Sequence, residues 1–339
     1  MDDKRNYLLD IFKIVLIFPM ICLHLTMSNE THVYFRLTVP FFFLVSGYFL
    51  YNDNDEKVNE IAIKRIKSAI KYLLLGILIY VIYDLTKITL KGNVSGYIES
   101  LFQKDFIYEF VFQNKVVTSG YHMWFLVALL ISYLIHFVCI KLDVAKLYSY
   151  FFLMFLVGYF FQAMLYNING QVVSYYFTRS AFFEGFPLMC LGFILHKLND
   201  KHIIKLTEKY NVYLISGIFL SLGIIFFFLQ KVEYNILNHN AECYISSVLS
   251  CVFFLVGFVN IKIKGAKTYY KIIGKNTSFY MFILHLMIGY DLVRFKDYVW
   301  DYKLCIVTFV ISFICSVLIH NVIYWTGKLY KFTRTKCTN

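Results

Sequence analysis

Apolar residues run through this chain in long blocks separated by short polar stretches, and the blocks have the length of membrane helices. A spanning helix needs about 20 mostly apolar residues. The pattern predicts ten, at about 8–27, 35–52, 69–90, 121–140, 147–165, 179–197, 211–230, 242–260, 274–293 and 303–326. One polar stretch differs in kind. In Lys57–Lys71 the apolar Ile61, Ile66 and Ile70 alternate with basic residues at helical spacing, which predicts an amphipathic helix leading into the third span. It suits an anchor among lipid headgroups or a seat for phosphates. The expected fold is an all-α polytopic bundle, one membrane-embedded domain over 1–339 with no soluble domain and a single extended loop at about 91–120.

Composition agrees. The chain is 59% hydrophobic, 20% aromatic and 16% charged, with a mean hydropathy of +0.62. Ordinary soluble domains are about 45–50% apolar and about 25% charged, so soluble enzyme folds are excluded. The net charge of +12 does not indicate nucleic acid, because no water-exposed basic domain carries it. Topology accounts for it instead. With a cytoplasmic N-terminus, 22 Lys and Arg fall on cytoplasmic segments and nine on the other side. That is the bias expected of positive residues retained inside, and an even span count returns the C-terminus to the cytoplasm. Lys4 and Arg5 before an apolar run resemble a signal peptide, but Asp10, Lys13 and His24 interrupt the run and no small-residue cleavage site follows. The eight cysteines are scattered without C-x-x-C spacing, so neither a disulfide framework nor a metal site is expected.

Ionisable groups inside hydrocarbon are costly and usually face a bundle interior or a wet cavity. Asp10 and Lys13, three apart, pair on one face of the first helix, and His24 returns to within about 20° of Lys13, about 16 Å further along. Pro19 lies between them and predicts a kink. Arg36 opens the second helix with a planar donor fork, and Ser46-Gly47 marks a close approach. His122 and Trp124 enter the fourth helix from the outer side, where Trp124 suits an interface anchor and His122 the mouth of an outward cavity. Arg179 and Glu184 lie five apart in the sixth helix, as a structural ion pair or a site. His285 suits an interhelical hydrogen bond.

Taken together, Asp10, Lys13 and His24, the Val39–Phe49 stretch ending in Ser-Gly-Tyr-Phe, the basic Lys64–Lys71 segment, His122–Phe125, Phe186–Leu195 and Tyr280–His285 resemble the acyltransferase-3 group of membrane acyltransferases. In that group an Arg usually stands where Lys13 stands here. The resemblance implies an O-acyltransferase in the bacterial cytoplasmic membrane, taking an acyl group, most often acetyl, from cytoplasmic acetyl-CoA to a hydroxyl of an extracytoplasmic glycan or envelope acceptor. It implies His24 as general base or acyl carrier, assisted by Lys13 and Asp10. Arg36, Arg65, Lys64, Lys71 and Ser46 would hold the donor, and His122, Trp124, Arg179 and Glu184 would serve the acceptor side. Many members also carry an extracytoplasmic hydrolase-like domain, and none is expected here. The Arg36…VPFFFLVSGYF wording and the Arg179…Pro187…Gly192 helix also resemble the membrane half of membrane-bound serine racemases, which implies the alternative of an importer of a small amino acid such as L-serine.

Overall fold

The computed structural model describes residues 6–25, 29–89, 94–101, 106–112, 114, 116, 118–169, 175–261, 273, 276–293 and 301–336. Several basic residues counted above lie outside them: Lys4, Arg5, Lys91, Lys104, Lys115, Lys262, Lys264, Lys267, Lys271, Lys275, Arg294 and Lys296. The fold is all-helical, and no strand occurs among the described residues. In chain order the helices are α1 (Tyr7–Val15), α2 (Ile17–Leu25), α3 (Asn29–Phe35), α4 (Thr38–Tyr48), α5 (Asp55–Thr89), α6 (Val94–Leu101), α7 (Phe106–Phe112), α8 (Trp124–Lys141), α9 (Tyr148–Asn169), α10 (Tyr175–Thr178), α11 (Phe186–Leu198), α12 (Ile204–Lys209), α13 (Val212–Leu237), α14 (Ile245–Val259), α15 (Thr277–Leu292) and α16 (Asp301–Lys336).

Six segments are long and apolar enough to cross a membrane: Tyr7–Leu25, Asp55–Thr89, Tyr121–Lys141, Ala181–Lys209, Val212–Leu237 and Tyr302–Thr326. The chain is a multi-pass membrane protein. The remaining expected spans are helical too, as α4, α9, α14 and α15. Of these, α4, α14 and α15 have 11, 15 and 16 residues, shorter than the expected segments. The amphipathic stretch and the third span form one continuous 35-residue helix, α5. Its buried residues Val58, Ala62, Ala69, Leu73, Gly76 and Tyr80 recur every three, four or seven positions, while Ile63 and Ile70 stay exposed. The face that packs is therefore set by small residues, and Ile70 lies on the other side.

The chain contains three prolines, and each sits just past a break in helical order. Proline lacks an N–H and its ring clashes with the carbonyl four residues back. Four before Pro19 is Val15, the last residue of α1, and the turn falls at Leu16 rather than at the proline itself. Four before Pro40 is Arg36, in the turn between α3 and α4. Four before Pro187 is Phe183, inside a π turn at Ala181–Gly185.

The chain divides into two compact units. One comprises residues 1–28 and 261–339. Within it α2 packs on both α15 and α16. Phe18 meets Phe309 edge-on at 5.8 Å, the side chain of Leu25 covers Gly289, and Asn6 Nδ2 donates to Ile261 O at 3.2 Å. The other comprises residues 29–260. Here α13 pairs with α14, α5 with α8, and α11 packs against α4 and α9. The α4–α11 crossing brings backbone against backbone, since a Cβ on Gly47 would overlap the carbonyl of Met189 and one on Gly192 that of Leu44. α13 turns Ile218, Ile225, Phe228 and Ile236 outward, an apolar surface suited to lipid.

Gly192→Ala forces the α4–α11 backbones apart and should cost about 1–3 kcal/mol. Gly217, which faces open space, should tolerate Ala or gain stability from it. Thermal unfolding of the two purified variants checks the contrast.

Candidate active site

In the unit of residues 29–260, two arginines converge on one carboxylate. Arg36 Nη1 donates to Glu242 Oε2 at 2.6 Å, while Arg179 grips the same group with its side-on fork, Nε to Oε2 at 3.0 Å and Nη2 to Oε1 at 2.8 Å. The three side chains are 16–26% exposed, so the cluster is sheltered without being sealed. The Pro40 break holds Arg36 between two helices. Arg179 lies just before Ser180, whose side chain accepts from Phe183 N at 3.1 Å and opens the π turn.

Glu242 comes from the connection between α13 and α14, and that connection is tightly tied. Asn238 ends α13 in the left-handed region at φ 58°, which asparagine tolerates. Gln162 of α9 accepts the Glu242 N–H at 2.8 Å and donates to Cys243 O at 3.2 Å. Glu233 on the last turns of α13 accepts from Ile245 N and Ser246 N at 2.9 and 2.8 Å, and from the Tyr159 hydroxyl at 2.6 Å. A carboxylate at the first N–H groups of α14 satisfies donors that the helix leaves over and complements its dipole. These bonds hold Glu242 in place before it meets an arginine.

Of the two alternatives for Arg179 and Glu184, an ion pair between them is not seen among the described residues. Five residues is 500° of helix, which points the two side chains about 140° apart, and Arg179 turns to Glu242 instead. Glu184 is 3% exposed and lines a cavity of about 10 Å³, the size of one water, with Thr178, Gln162 and Tyr159. It lies within electrostatic range of Glu242 and both arginines. Arg36, expected with the donor residues, shares Glu242 with Arg179.

Arg65 and Ser46 lie outside that cluster. The buried Tyr133 hydroxyl of α8 faces Ser46 on α4 and lies in the field of the Arg65 guanidinium on α5. Ser46 Oγ also donates to Phe42 O at 2.7 Å. Lys64 and Lys71 lie on a separate, open face of α5 with Glu60, Ile63, Lys67 and Ser68. Ser46 and Arg36 are ten residues apart, about 15 Å of helix, so the second helix has a polar cluster near each end.

His122 is 2% exposed rather than at an open mouth. The 3-10 turn Tyr121–Met123 carries its ring inward, edge-on to Tyr80 at 5.4 Å, where Gly120 lets the Tyr80 ring approach. Trp124 follows as the first residue of α8, half-buried. The preceding loop is moored by Asp84, which accepts from Tyr97 Oη and Ser119 N, both at 3.0 Å.

In the unit of residues 1–28 and 261–339, Lys13 Nζ pairs with Asp10 Oδ1 at 3.3 Å, the geometry expected three residues apart on a helix. The turn at Leu16 separates this pair from His24. The His24 ring lies against that of His285, centroids 5.6 Å apart and planes tilted by 31°. His285 is fully buried, with Nδ1 at 2.7 Å from Phe282 O. That contact is to its own helix.

The family model of the acyltransferase domain, acyltransferase-3, matches residues 6–325. The chain belongs to this acyltransferase family. No curated protein and no solved structure matches it. The match runs through both compact units, and it makes the protein an enzyme that transfers acyl groups other than aminoacyl groups. Sequence reading of the acyltransferase missed Glu242 and Tyr133. An acid at the start of an apolar block, in a chain with fixed charges at Arg36 and Arg179, was a signal for Glu242. Nothing in the spacing marked Tyr133 among 29 tyrosines.

Glu242→Ala leaves two guanidiniums sheltered without their shared counter-ion. It should destabilise the acyltransferase by about 3–5 kcal/mol, read as a fall in melting temperature in detergent or nanodiscs.

Proposed function

We propose that this protein carries an acyl group, acetyl in the simplest case, from acyl-CoA on the cytoplasmic side of the cell membrane to a hydroxyl of an extracytoplasmic glycan or cell-envelope acceptor. The observation that carries the proposal is the division of polar chemistry along the second helix. Ser46 and Tyr133, with the exposed Arg65 in electrostatic range of the latter, lie near one end and the Arg36–Glu242–Arg179 cluster near the other. In the ten-span arrangement with both termini cytoplasmic, the ends of spans carrying Ser46 and Arg65 face the cytoplasm. Those carrying Arg36, His122, Arg179 and Glu242 face outward. The basic face of Lys64, Lys67 and Lys71 on α5 then suits the phosphates of CoA, with lipid headgroups as competitors for the same charges.

His24 serves as general base. An alcohol attacks a thioester slowly until its proton is removed, and an imidazole with an intrinsic pKa near 6.5 is suited to remove it, a contribution of about 10²–10⁴ in rate. The hydroxyl proton passes to His24 as the new C–O bond forms; the C–S bond then breaks and the CoA thiolate takes the proton. His285 supports the ring. A carbonyl oxygen only accepts, so the contact with Phe282 O assigns the proton of His285 to Nδ1 and leaves Nε2 as an acceptor. The His285 ring, 5.6 Å from that of His24, packs against it and holds its orientation. Lys13, paired with Asp10, supplies positive charge in the same unit.

Inverted membrane vesicles given labelled acetyl-CoA should transfer label to envelope glycan, and sealed right-side-out vesicles should not. Absence of transfer from either face refutes the proposal. His24→Gln, which keeps hydrogen bonding but not basicity, should abolish transfer while acyl-CoA still binds. Near-normal turnover would make His24 structural.

For His285→Ala the expectation is a fall in kcat with KM for acetyl-CoA retained and a displaced pH–rate profile, partly rescued by His285→Gln, which restores an acceptor. A variant that loses only stability, with its pH profile unmoved, removes His285 from the reaction.

A further inference from the structure

We propose that Cys22 and Cys305 form a disulfide that staples α2 to α16 and fixes the orientation of the helix carrying His24. The two helices belong to the same compact unit and pack together. Phe18 meets Phe309 edge-on at 5.8 Å, and the thiol of Cys22 lies within hydrogen-bonding reach of that of Cys305. Cys22 comes four residues after Phe18 and Cys305 four before Phe309, so the two contacts are successive rungs of an antiparallel helix pair, one turn apart. A ring contact and a thiol contact thus give the same register. Both cysteines are fully buried, and no bond joins their sulfurs in this structure.

Other cysteines have other partners. Cys139 and Cys190 share an apolar cluster with Tyr148 and Phe186, Cys251 Sγ donates to Leu37 O at 3.1 Å, and Cys243 Sγ donates to Tyr244 O at 3.8 Å. Depth matters as well. Cys22 lies about one turn from the end of α2 at Leu25, and Cys305 about one turn from the start of α16 at Asp301. In the ten-span arrangement proposed above both of those ends face outward, and outside the cytoplasm disulfides form and persist. The bond forms by exchange with an extracytoplasmic disulfide carrier. One cysteine thiolate attacks the carrier disulfide, the second attacks the resulting mixed disulfide, and the S–S bond of the carrier is replaced by that of the protein; the two thiol protons end on the sulfurs of the carrier. Because α2 comes early in the unit and α16 late, both thiols stay reachable until the two helices dock.

The bond bears on His24 through the helix between them. Cys22 and His24 are two residues apart, about 200° around α2, so they serve nearly opposite sides. Phe18 and Cys22 face α16, whereas His24 and Leu25 face α15, where they meet His285 and Gly289. A covalent tie on one side stops α2 from rolling about its axis. The imidazole on the other side then keeps its heading against His285.

The test uses the full-length protein, taken from membranes into denaturant with N-ethylmaleimide to block every thiol, and then digested for mass spectrometry. A peptide pair joined through Cys22 and Cys305 is expected, and dithiothreitol should separate it. In nanodiscs, dithiothreitol should lower the melting temperature of the unaltered protein and leave that of Cys305→Ser where it was. If Cys305→Ser does not fold, Cys22→Ala takes its place, and peptide mapping of the unaltered protein decides on its own. Maleimide on both Cys22 and Cys305, even after membranes have been exposed to oxidised glutathione, overturns the staple, and so does a bond from either to another cysteine. A bond that breaks without moving the melting temperature overturns its role in holding α2. None of these readouts uses acyl transfer, so the staple stands or falls separately from the reaction proposed above.

Discussion

A chain in hydrocarbon has no water to hydrogen-bond its backbone, so every N–H and C=O must find a partner within the protein, and helices are the form that does so segment by segment. Everything else in this structure is arranged around that constraint, including its exceptions. Where a helix is interrupted, backbone groups are released and side chains point in directions a regular helix would not allow. The three prolines place such interruptions beside Lys13, at Arg36 and within the turn that carries Glu184. Polar chemistry and broken helix therefore coincide. Groups freed by a break need polar surroundings, and charged side chains need a place where the helix wall is open.

The Arg36–Glu242–Arg179 cluster shows what such an opening has to support. Sheltered ion pairs often add little stability, because desolvating the charges offsets their attraction, while removing one partner is severely destabilising. A hydrophobic trio would fill the same space with less risk. The cluster also depends on an elaborate support, with Gln162, Glu233, Tyr159 and Tyr244 all tied to the connection that presents Glu242. So much positioning of one carboxylate is understandable if the arginines must be held at a defined angle for something beyond each other.

What the sequence made legible was local. Apolar block length predicted the helices, three-residue spacing predicted the Asp10–Lys13 pair, and Ser46-Gly47 marked the tight crossing with α11. The failures were long-range. Spacing offered Arg179 only Glu184 nearby, whereas the carboxylate it grips is 63 positions away, and Arg36 finds the same carboxylate across 206. Tyr133 joins Ser46 and Arg65 only because α4, α5 and α8 pack in one unit. His122 looked exposed because it precedes an apolar block, yet one 3-10 turn was enough to bury it. Helical periodicity determines which face of a segment is apolar. It does not tell which segments become neighbours, and polar sites are built between neighbours.

The separation of charges along the second helix bears on how the proposed reaction is possible at all. Carrying even one formal charge through a bilayer centre costs several kcal/mol on the most lenient scales, and CoA carries several. An acetyl group carries none. A protein that anchors the phosphates among basic residues at one end and an acceptor among arginines at the other leaves only an uncharged fragment to pass between. The polar residues then belong at the two ends, with little between them but aromatic and aliphatic packing. That is the distribution α4 displays: Arg36 just before it, Ser46 near its close, and Phe41, Phe43, Leu44 and Val45 buried between. The aromatic run that first marked this segment as a membrane helix is, on this account, also the barrier that confines charge to its ends.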